Sequence, residues 1–207
     1  MAERGRLIAF EGIEGAGKST QIRLTAAALR TRGVGVVETL EPGGTAFGAE
    51  ARRILMHTPE SAPTPLAELF LYLADRAQHV SQIIGPALAQ NQVVLTDRFS
   101  ASTIAYQGYA RGLDREIVTQ LDAIARQGVA PALTVLLDCP VEVGLARARG
   151  DDRFHREEQQ FHQRVRAGFL SLAREHHDRY CVIDATAPRE QVQEQVLAAV
   201  MQCLNPR

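Results

Sequence analysis

Gly12-Ile13-Glu14-Gly15-Ala16-Gly17-Lys18-Ser19, with Thr20 directly behind it, fits the pattern G-x-x-x-x-G-K-[ST]. Its flanks fit as well. Leu7-Ile8-Ala9-Phe10 is a short apolar run that reads as a buried strand, and Ser19 to Leu29 carries helical spacing up to Gly33, which suits a C-cap. A strand, a glycine-rich turn and a helix in that order predict a phosphate site. The glycines let backbone N–H groups converge on phosphate oxygens, and the helix N-terminus adds favourable partial charge. Lys18 is placed to reach the outer phosphates and the Ser19 hydroxyl to sit on Mg²⁺. Of the 23 Lys and Arg residues only Lys18 is lysine, leaving 22 arginines. A chain that uses Arg nearly everywhere keeps Lys where a compact ammonium is needed and a planar guanidinium would not fit.

A length of 207 residues suffices for one well-buried α/β domain without a second. The net charge of −1 gives no sign of a nucleic-acid or polyanion surface. Cys139, Cys181 and Cys203 lie far apart and form no metal-ligand pattern, which suits small buried residues in a reducing compartment. The first strand follows Met1–Arg6 with no room for a signal peptide, and no apolar run approaches the ~18 residues of a membrane span. The expectation is a soluble cytoplasmic enzyme.

Val34 to Glu38 reads as a second strand, and Pro42-Gly43-Gly44 as a tight turn before a helical stretch over Ala49–Met56. Leu66 to Gln90 is the longest helical pattern, with a kink or restart expected at Gly85-Pro86. Val93 to Arg98 is an apolar strand that carries Asp97 near its end. In a phosphate-loop fold that is the acidic position close to Mg²⁺, which the strand context favours over the alternative of a helix N-cap. Ser100 to Gly108 is a polar, aromatic-containing segment. Asp114 caps a helix to about Arg126, Leu133 to Asp138 is a fourth strand, and a helix opens at Pro140. Arg147, Arg149, Arg153 and Arg156 follow in a loop with Gly150, Asp151 and Asp152. A helix over Glu157–Glu175, a strand over Tyr180–Ile183 and a terminal helix from Pro188 complete the chain. Five strands alternating with helices predict a three-layer α/β fold, a five-stranded parallel sheet with helices on both faces.

Phosphate loops serve many functions, so the rest of the chain must discriminate. A guanine-reading N-K-x-D is absent, and Asp97 is followed by Arg98 rather than by the Glu of a coupling ATPase. Arginines late in a small domain suit a lid that closes on phosphates, supplying charge and excluding water during transfer to a small acceptor.

At this point the chain resembles a known family, the bacterial thymidylate kinases among the P-loop nucleoside-monophosphate kinases. The resemblance covers essentially the whole chain. It rests on Gly12–Ser19, Glu41-Pro42-Gly43-Gly44-Thr45, Leu73-Ala74-Asp75-Arg76-Ala77-Gln78-His79, Asp97-Arg98-Phe99 with Ala105-Tyr106-Gln107-Gly108, and the lid at Asp152-Arg153-Phe154. It implies ATP + dTMP → ADP + dTDP with Mg²⁺, a single domain over residues 1–207 with a lid about 147–157, and a homodimer. ATP would be bound by Gly12, Ile13, Glu14, Gly15, Ala16, Gly17, Lys18, Ser19 and Thr20, and Mg²⁺ by Ser19 and Asp97.

For the acceptor, the resemblance implies that Arg98 and Arg52 hold the dTMP phosphate, that Tyr72 stacks on thymine and that Arg76 donates to its O4. Thr103 and Gln107 would face the base, Tyr106 would crowd the 2′ position, Glu14 would lie near the sugar, and Glu41 belongs to the same set. Local reading leaves alternatives. Arg52 could be a solvated helix arginine beside Arg53, Tyr72 and Tyr106 packed core aromatics, and Thr103 and Gln107 capping or surface residues. No basic residue stands at positions 13–16, so the catalytic arginine is expected in the lid, as Arg153 with Arg149 in support beside Lys18 and Arg98. Leu40 before Glu-Pro-Gly-Gly, Tyr72 for the commoner Phe, and His155 after the lid Asp-Arg-Phe depart from the family pattern. The competing readings are a kinase of the same fold for another (deoxy)nucleotide, and a nucleotide-binding regulatory module without turnover.

Overall fold

The computed structural model describes residues 5–57, 62–148, 154 and 157–205. Its centre is β1 (Arg6–Glu11), apolar over Leu7–Phe10, which runs into the glycine-rich turn and then α1 (Lys18–Thr31). Residues of β1 alternate between two packed clusters. Ile8 and Phe10 join Ile22, Ala26 and Leu29 of α1, while Leu7 and Ala9 join Val80, Ile84 and Ala87. A strand buried on both sides reads as a continuous apolar run because each side chain meets a helix, whichever way it points.

The remaining strands are β2 (Val36–Leu40), β3 (Val93–Asp97), β4 (Leu133–Asp138) and β5 (Tyr180–Asp184), all parallel in the order β2-β3-β1-β4-β5. The helices between them are α2 (Ala46–His57), α3 (Pro65–His79), α4 (Gly85–Ala89), α5 (Ser100–Thr103), α6 (Arg115–Ala125), α7 (Val141–Arg147), α8 (Gln159–Glu175) and α9 (Arg189–Leu204). After β1 the chain crosses to β2 and β3 on one side, then returns to β4 on the other. The crevice where the connections diverge, at the strand C-termini, is where open parallel sheets bind ligands.

Several expected boundaries move, each for a local reason. The second strand begins at Val36, because the Val34 N–H instead closes α1 on the Leu29 carbonyl (3.1 Å); the C-cap is Arg32, one residue before the expected Gly33, which follows it at φ +77°. Strand β3 stops at Asp97, because Arg98 turns to φ +73°. The break expected at Gly85-Pro86 lies one turn earlier, as a π-helical segment over Val80–Ile84 in which the Gly85 N–H reaches the Val80 carbonyl. Proline cannot donate to the carbonyl four residues back, and the wider turn absorbs that loss. The polar segment after Ser100 is also helical, α5 followed by a second π segment over Ile104–Ala110. The last two helices start at Gln159 and Arg189, with Glu158 and Pro188 as their N-caps. Asp114 caps α6 as expected, accepting the Glu116 (2.8 Å) and Ile117 (3.3 Å) N–H groups. Cys139 is buried, Cys181 and Cys203 are half-buried, and all three are free thiols. Among the described residues no helix is long and apolar enough to cross a membrane.

Candidate active site

The loop after β1 owes its shape to glycines with positive φ: Gly12 (+137°), Gly15 (+70°) and Gly17 (+94°). A Cβ on Gly15 would collide with the Gly144 carbonyl of α7, and one on Gly12 with the Leu137 carbonyl of β4. Backbone therefore packs against backbone on both flanks. Gly17 is the N-cap of the 14-residue α1, whose first turn carries no acidic side chain, so the helix terminus faces the loop with its positive end uncompensated. Lys18 is buried, and its Nζ donates to the Gly12 (3.1 Å) and Ile13 (2.9 Å) carbonyls. Burial and the neighbouring Arg98 charge push its ammonium down to about 8. The Ser19 hydroxyl donates to Asp97 Oδ2 at 2.7 Å, joining the start of α1 to the end of β3.

Ser19 and Asp97 present hard oxygen donors beside the phosphate loop. That suits Mg²⁺, which keeps several waters and takes only one or two protein oxygens together with substrate phosphates. Among the described residues, no group of three His, Cys, Asp or Glu side chains gathers into an all-protein metal cage.

A cavity of 630 Å³ opens in front of this loop. Glu14, Gly15, Gly17, Lys18, Ser19 and Thr20 line it from the loop side, and Glu41, Arg52, Tyr72, Arg76, Asp97, Arg98, Thr103, Tyr106 and Gln107 from the other elements. Gly12, Ile13 and Ala16 sit behind the lining, with Ile13 and Ala16 in the core. Arg149 and Arg153, the expected lid arginines, and His155 lie outside the described residues.

The far wall is held by a buried charge network. Arg76, on α3, donates from Nε and Nη2 to Glu41 Oε2 (2.9 and 2.8 Å), and from Nη1 to Thr103 Oγ1 (2.8 Å) and Asp122 Oδ1. These bonds use four of the five guanidinium N–H groups and leave one on Nη2. Glu41 meets His79 Nδ1 with its other oxygen (2.9 Å), and His79 Nε2 meets Thr39 (2.6 Å). Asp75 is fully buried next to this network. Its Oδ1 accepts the Gly43 N–H (3.2 Å), while Oδ2 has no hydrogen-bond partner among the described residues. Burial, with the Glu41 charge in support, raises its carboxyl to about 6.

Gln107 is buried and donates from Nε2 to Glu68 Oε1 (2.8 Å). Because the Glu68 carboxylate also takes Arg111 (3.2 Å), it selects the amide N and leaves the Gln107 carbonyl oxygen for the cavity. Tyr106 joins an aromatic group with Phe154 (5.8 Å, edge-on), Phe161 and Phe169, and Tyr72 lies 6.4 Å from Phe154. The tyrosines are thus both packed and cavity-lining, so the two local readings of them are compatible. Burial pushes the Tyr106 phenol up to about 12, so it keeps its proton at neutral pH. Arg98 donates from Nη1 to the Gly12 carbonyl (3.2 Å) and Ser102 Oγ (3.0 Å), and from Nη2 to the Tyr106 hydroxyl (3.2 Å). Arg52 is exposed and donates to the Pro42 carbonyl (3.1 Å), which ties it to the Glu41–Gly44 turn.

Met56, Ser102 and Ala148, not singled out from sequence, also line the cavity, beside Leu40, Pro42, Arg147 and Phe154, to which sequence reading assigned no site role. Arg147 donates to the Ala185 carbonyl (2.7 Å), linking the helix before the lid to the turn after β5. Glu68 was also missed, although the spacing of four through Glu68, Tyr72 and Arg76 along α3 marks all three as one helix face.

The parallel sheet with this strand order, the glycine-rich loop after its central strand and the acid ending the neighbouring strand define a P-loop kinase fold. The thymidylate kinase family model matches residues 10–196. A thymidylate kinase from Geobacter sulfurreducens is 51% identical over 189 residues, covering 87% of this chain and 89% of the relative. One from Trichlorobacter lovleyi is 48% identical over 203 residues, covering 94% and 96%. The crystal structure of thymidylate kinase from Ehrlichia chaffeensis superimposes with a TM-score of 0.76 at 33% identity, covering 98% of this chain and 99% of that one. The chain belongs to the thymidylate kinase family.

Proposed function

We propose that this chain transfers the γ-phosphoryl group of ATP to dTMP, giving ADP and dTDP, and that its cavity holds both substrates between the phosphate loop and the Arg76 wall. One observation supports the acceptor assignment. The bonds above leave Gln107 its carbonyl oxygen as acceptor and Arg76 one N–H as donor, and both side chains line the same cavity. Thymine offers the complement, a donor at N3 and an acceptor at O4. Cytosine reverses both, leaving two buried polar groups unpaired, which costs far more than losing a methyl contact. Glu41 serves this pairing indirectly by fixing Arg76, and Thr103 does the same from the other edge. Tyr72 stacks on the base, and Tyr106, held by Arg98, crowds the sugar near Glu14.

The chemistry needs little covalent assistance, because a nucleoside monophosphate is already an anionic nucleophile near neutral pH. Positioning and charge neutralisation carry the rate. Arg98 and Arg52 hold the acceptor phosphate, while Lys18 and the loop N–H groups hold the donor phosphates. Arg153, with Arg149, closes from the lid to neutralise the transferring group and exclude water. Ser19 and Asp97 would hold Mg²⁺, which when bound neutralises phosphate charge.

The chain works as one domain in the cytoplasm and as a homodimer. Family membership supports the dimer. So do the large apolar side chains exposed on neighbouring α2, α3 and α6: Phe47, Leu66, Phe70, Ile117 and Ile124.

Arg153→Ala tests the mechanism. The expected loss is in kcat, on the order of a hundredfold or more, with KM for dTMP and ATP held within a few-fold. An unchanged kcat would remove Arg153 from its role.

A further inference from the structure

Glu11 ends β1 immediately before the glycine-rich loop, and it is fully buried. Burial raises the Glu11 carboxyl, while the nearby Arg98 charge and its own hydrogen bonds act the other way. Oε1 accepts the backbone N–H groups of Phe99 (2.9 Å) and Ser102 (3.2 Å), and Oε2 accepts the Ser102 hydroxyl at 2.6 Å. All three partners act as donors, so the form that satisfies them is the anion. Phe99 stands at the N-cap of α5, where its side chain can offer no acceptor; Glu11 takes the Phe99 N–H from a different strand and shares the Ser102 N–H with the Phe99 carbonyl (3.1 Å).

Ser102 continues the chain of bonds. Its hydroxyl proton is committed to Glu11, so its lone pairs are free to accept, and they accept from Arg98 Nη1 (3.0 Å). The polarity is fixed at both ends, because the guanidinium can only donate and the carboxylate can only accept. Arg98 itself stands at φ +73°, a backbone conformation that a side chain with a Cβ rarely adopts and that surrounding contacts must hold. With Nη1 bound to Gly12 and Ser102, and Nη2 to Tyr106, these bonds leave Nε–H and one Nη2–H unused on a side chain that lines the cavity.

We propose that Glu11 and Ser102 are positioning residues for the acceptor phosphate: Glu11 orients the Ser102 hydroxyl, and Ser102 orients the Arg98 guanidinium. The inference rests on the reading of Arg98 as the phosphate-holding arginine. Glu11 lies behind the cavity lining and Ser102 within it beside Arg98, and the role assigned to both is exerted through Arg98.

Two variants test it without removing the backbone contacts at α5. Ser102→Ala deletes the relay and keeps both bonds to the backbone N–H groups. Glu11→Gln keeps the Oε1 acceptor but turns the other atom into a donor, so Ser102 faces two donors and its own proton loses its acceptor. Each variant is expected to raise KM for dTMP about tenfold, the loss of roughly one charge-assisted hydrogen bond, with KM for ATP within twofold. Calorimetric dTMP binding then closes a cycle with Arg98→Ala. Ser102→Ala should weaken binding in wild type and add nothing in the Arg98→Ala background.

An unchanged KM for dTMP, equal rises for both substrates, or an additive loss in the double variant would overturn the relay while leaving the proposed reaction intact. A wild-type protein that does not bind dTMP, or an Arg98→Ala variant that binds it as tightly, would overturn the reading beneath the relay and the relay with it.

Discussion

Lys18 offers the most quantitative test of the phosphate site. Its ammonium is buried against two loop carbonyls beside Arg98, and its pKa falls from the ordinary 10.5 to about 8. Donor phosphates bring several negative charges to the same place and should restore the high value. At pH 8.5 roughly three-quarters of the unliganded sites lack the proton, so nucleotide binding should take up about 0.7 proton per site. At pH 7 the uptake should fall to about 0.1. Titration calorimetry of ATP binding, in two buffers of different ionisation enthalpy, measures this number directly. The γ-phosphate is fully ionised at the higher pH and does not interfere. Stability carries the same signature. The folded state disfavours the charged form, so the penalty is complete below pH 8 and is relieved as pH rises from about 8 to 10.5. Lys18→Met should therefore stabilise the unliganded protein at pH 7 by up to about 3 kcal/mol, with the gain shrinking across that window. No proton uptake at pH 8.5, or a Lys18→Met gain that does not change with pH, would refute this account of the loop.

Three further outcomes follow from the site. Asp75 has a folded pKa of about 6 against an ordinary 3.8, so the folded state holds its proton more tightly and stability falls as pH rises through that interval. Asp75→Asn, which keeps an acceptor for Gly43, should be more stable than wild type by up to about 3 kcal/mol above pH 6, the difference vanishing toward pH 4 in urea titrations; a pH-independent difference contradicts it. Arg76→Met takes the shared guanidinium from buried Glu41 and Asp122, leaving them only His79 and Arg126, and should cost roughly 3 kcal/mol and lower Tm by about 10 °C, with dTMP binding lost and ATP binding kept. Equal loss of both nucleotides in a folded Arg76→Met would count against its place at the base. Gly15→Ala forces a Cβ onto the Gly144 carbonyl at φ +70°, and backbone strain on the order of 1–3 kcal/mol should weaken ATP at least about tenfold. Undiminished affinity would mean the loop does not bind phosphate in this shape.

What could be read in the chain beforehand was whatever depends on local pattern. The glycine-rich loop, its flanking strand and helix, and the acid at Asp97 are contiguous signals, and the structure brings Ser19 and Asp97 to 2.7 Å across 78 positions. The inner strands β1, β3 and β4 were legible because a strand covered on both sides shows an apolar run, and the edge strands β2 and β5 by shorter apolar stretches between helices. The π segments were not, because periodicity assumes 3.6 residues per turn and a widened turn leaves no compositional mark. Pairings across the fold were equally hidden. Arg76 meets Glu41 and Asp122, 35 and 46 positions away, and nothing local distinguishes those acids from surface ones. The resemblance pointed to Arg76 and Gln107 as base-facing, but the orientation of the Gln107 amide depends on Glu68, 39 positions away. Glu11 lies one position past the apolar run Leu7–Phe10 and carries no local signal of its own. Its task emerges only when α5 is folded against it.

The central claim is that the cavity joins a phosphate donor to a thymine-bearing acceptor, and initial rates of ADP formation from Mg-ATP test it most directly. The comparison is between dTMP, dUMP, dCMP, AMP and no acceptor. The account predicts rapid turnover with dTMP, weaker turnover with dUMP, which shares N3–H and O4, and almost none with dCMP, AMP or water. Efficient phosphorylation of dCMP or AMP, or ATP loss without an acceptor, would contradict it.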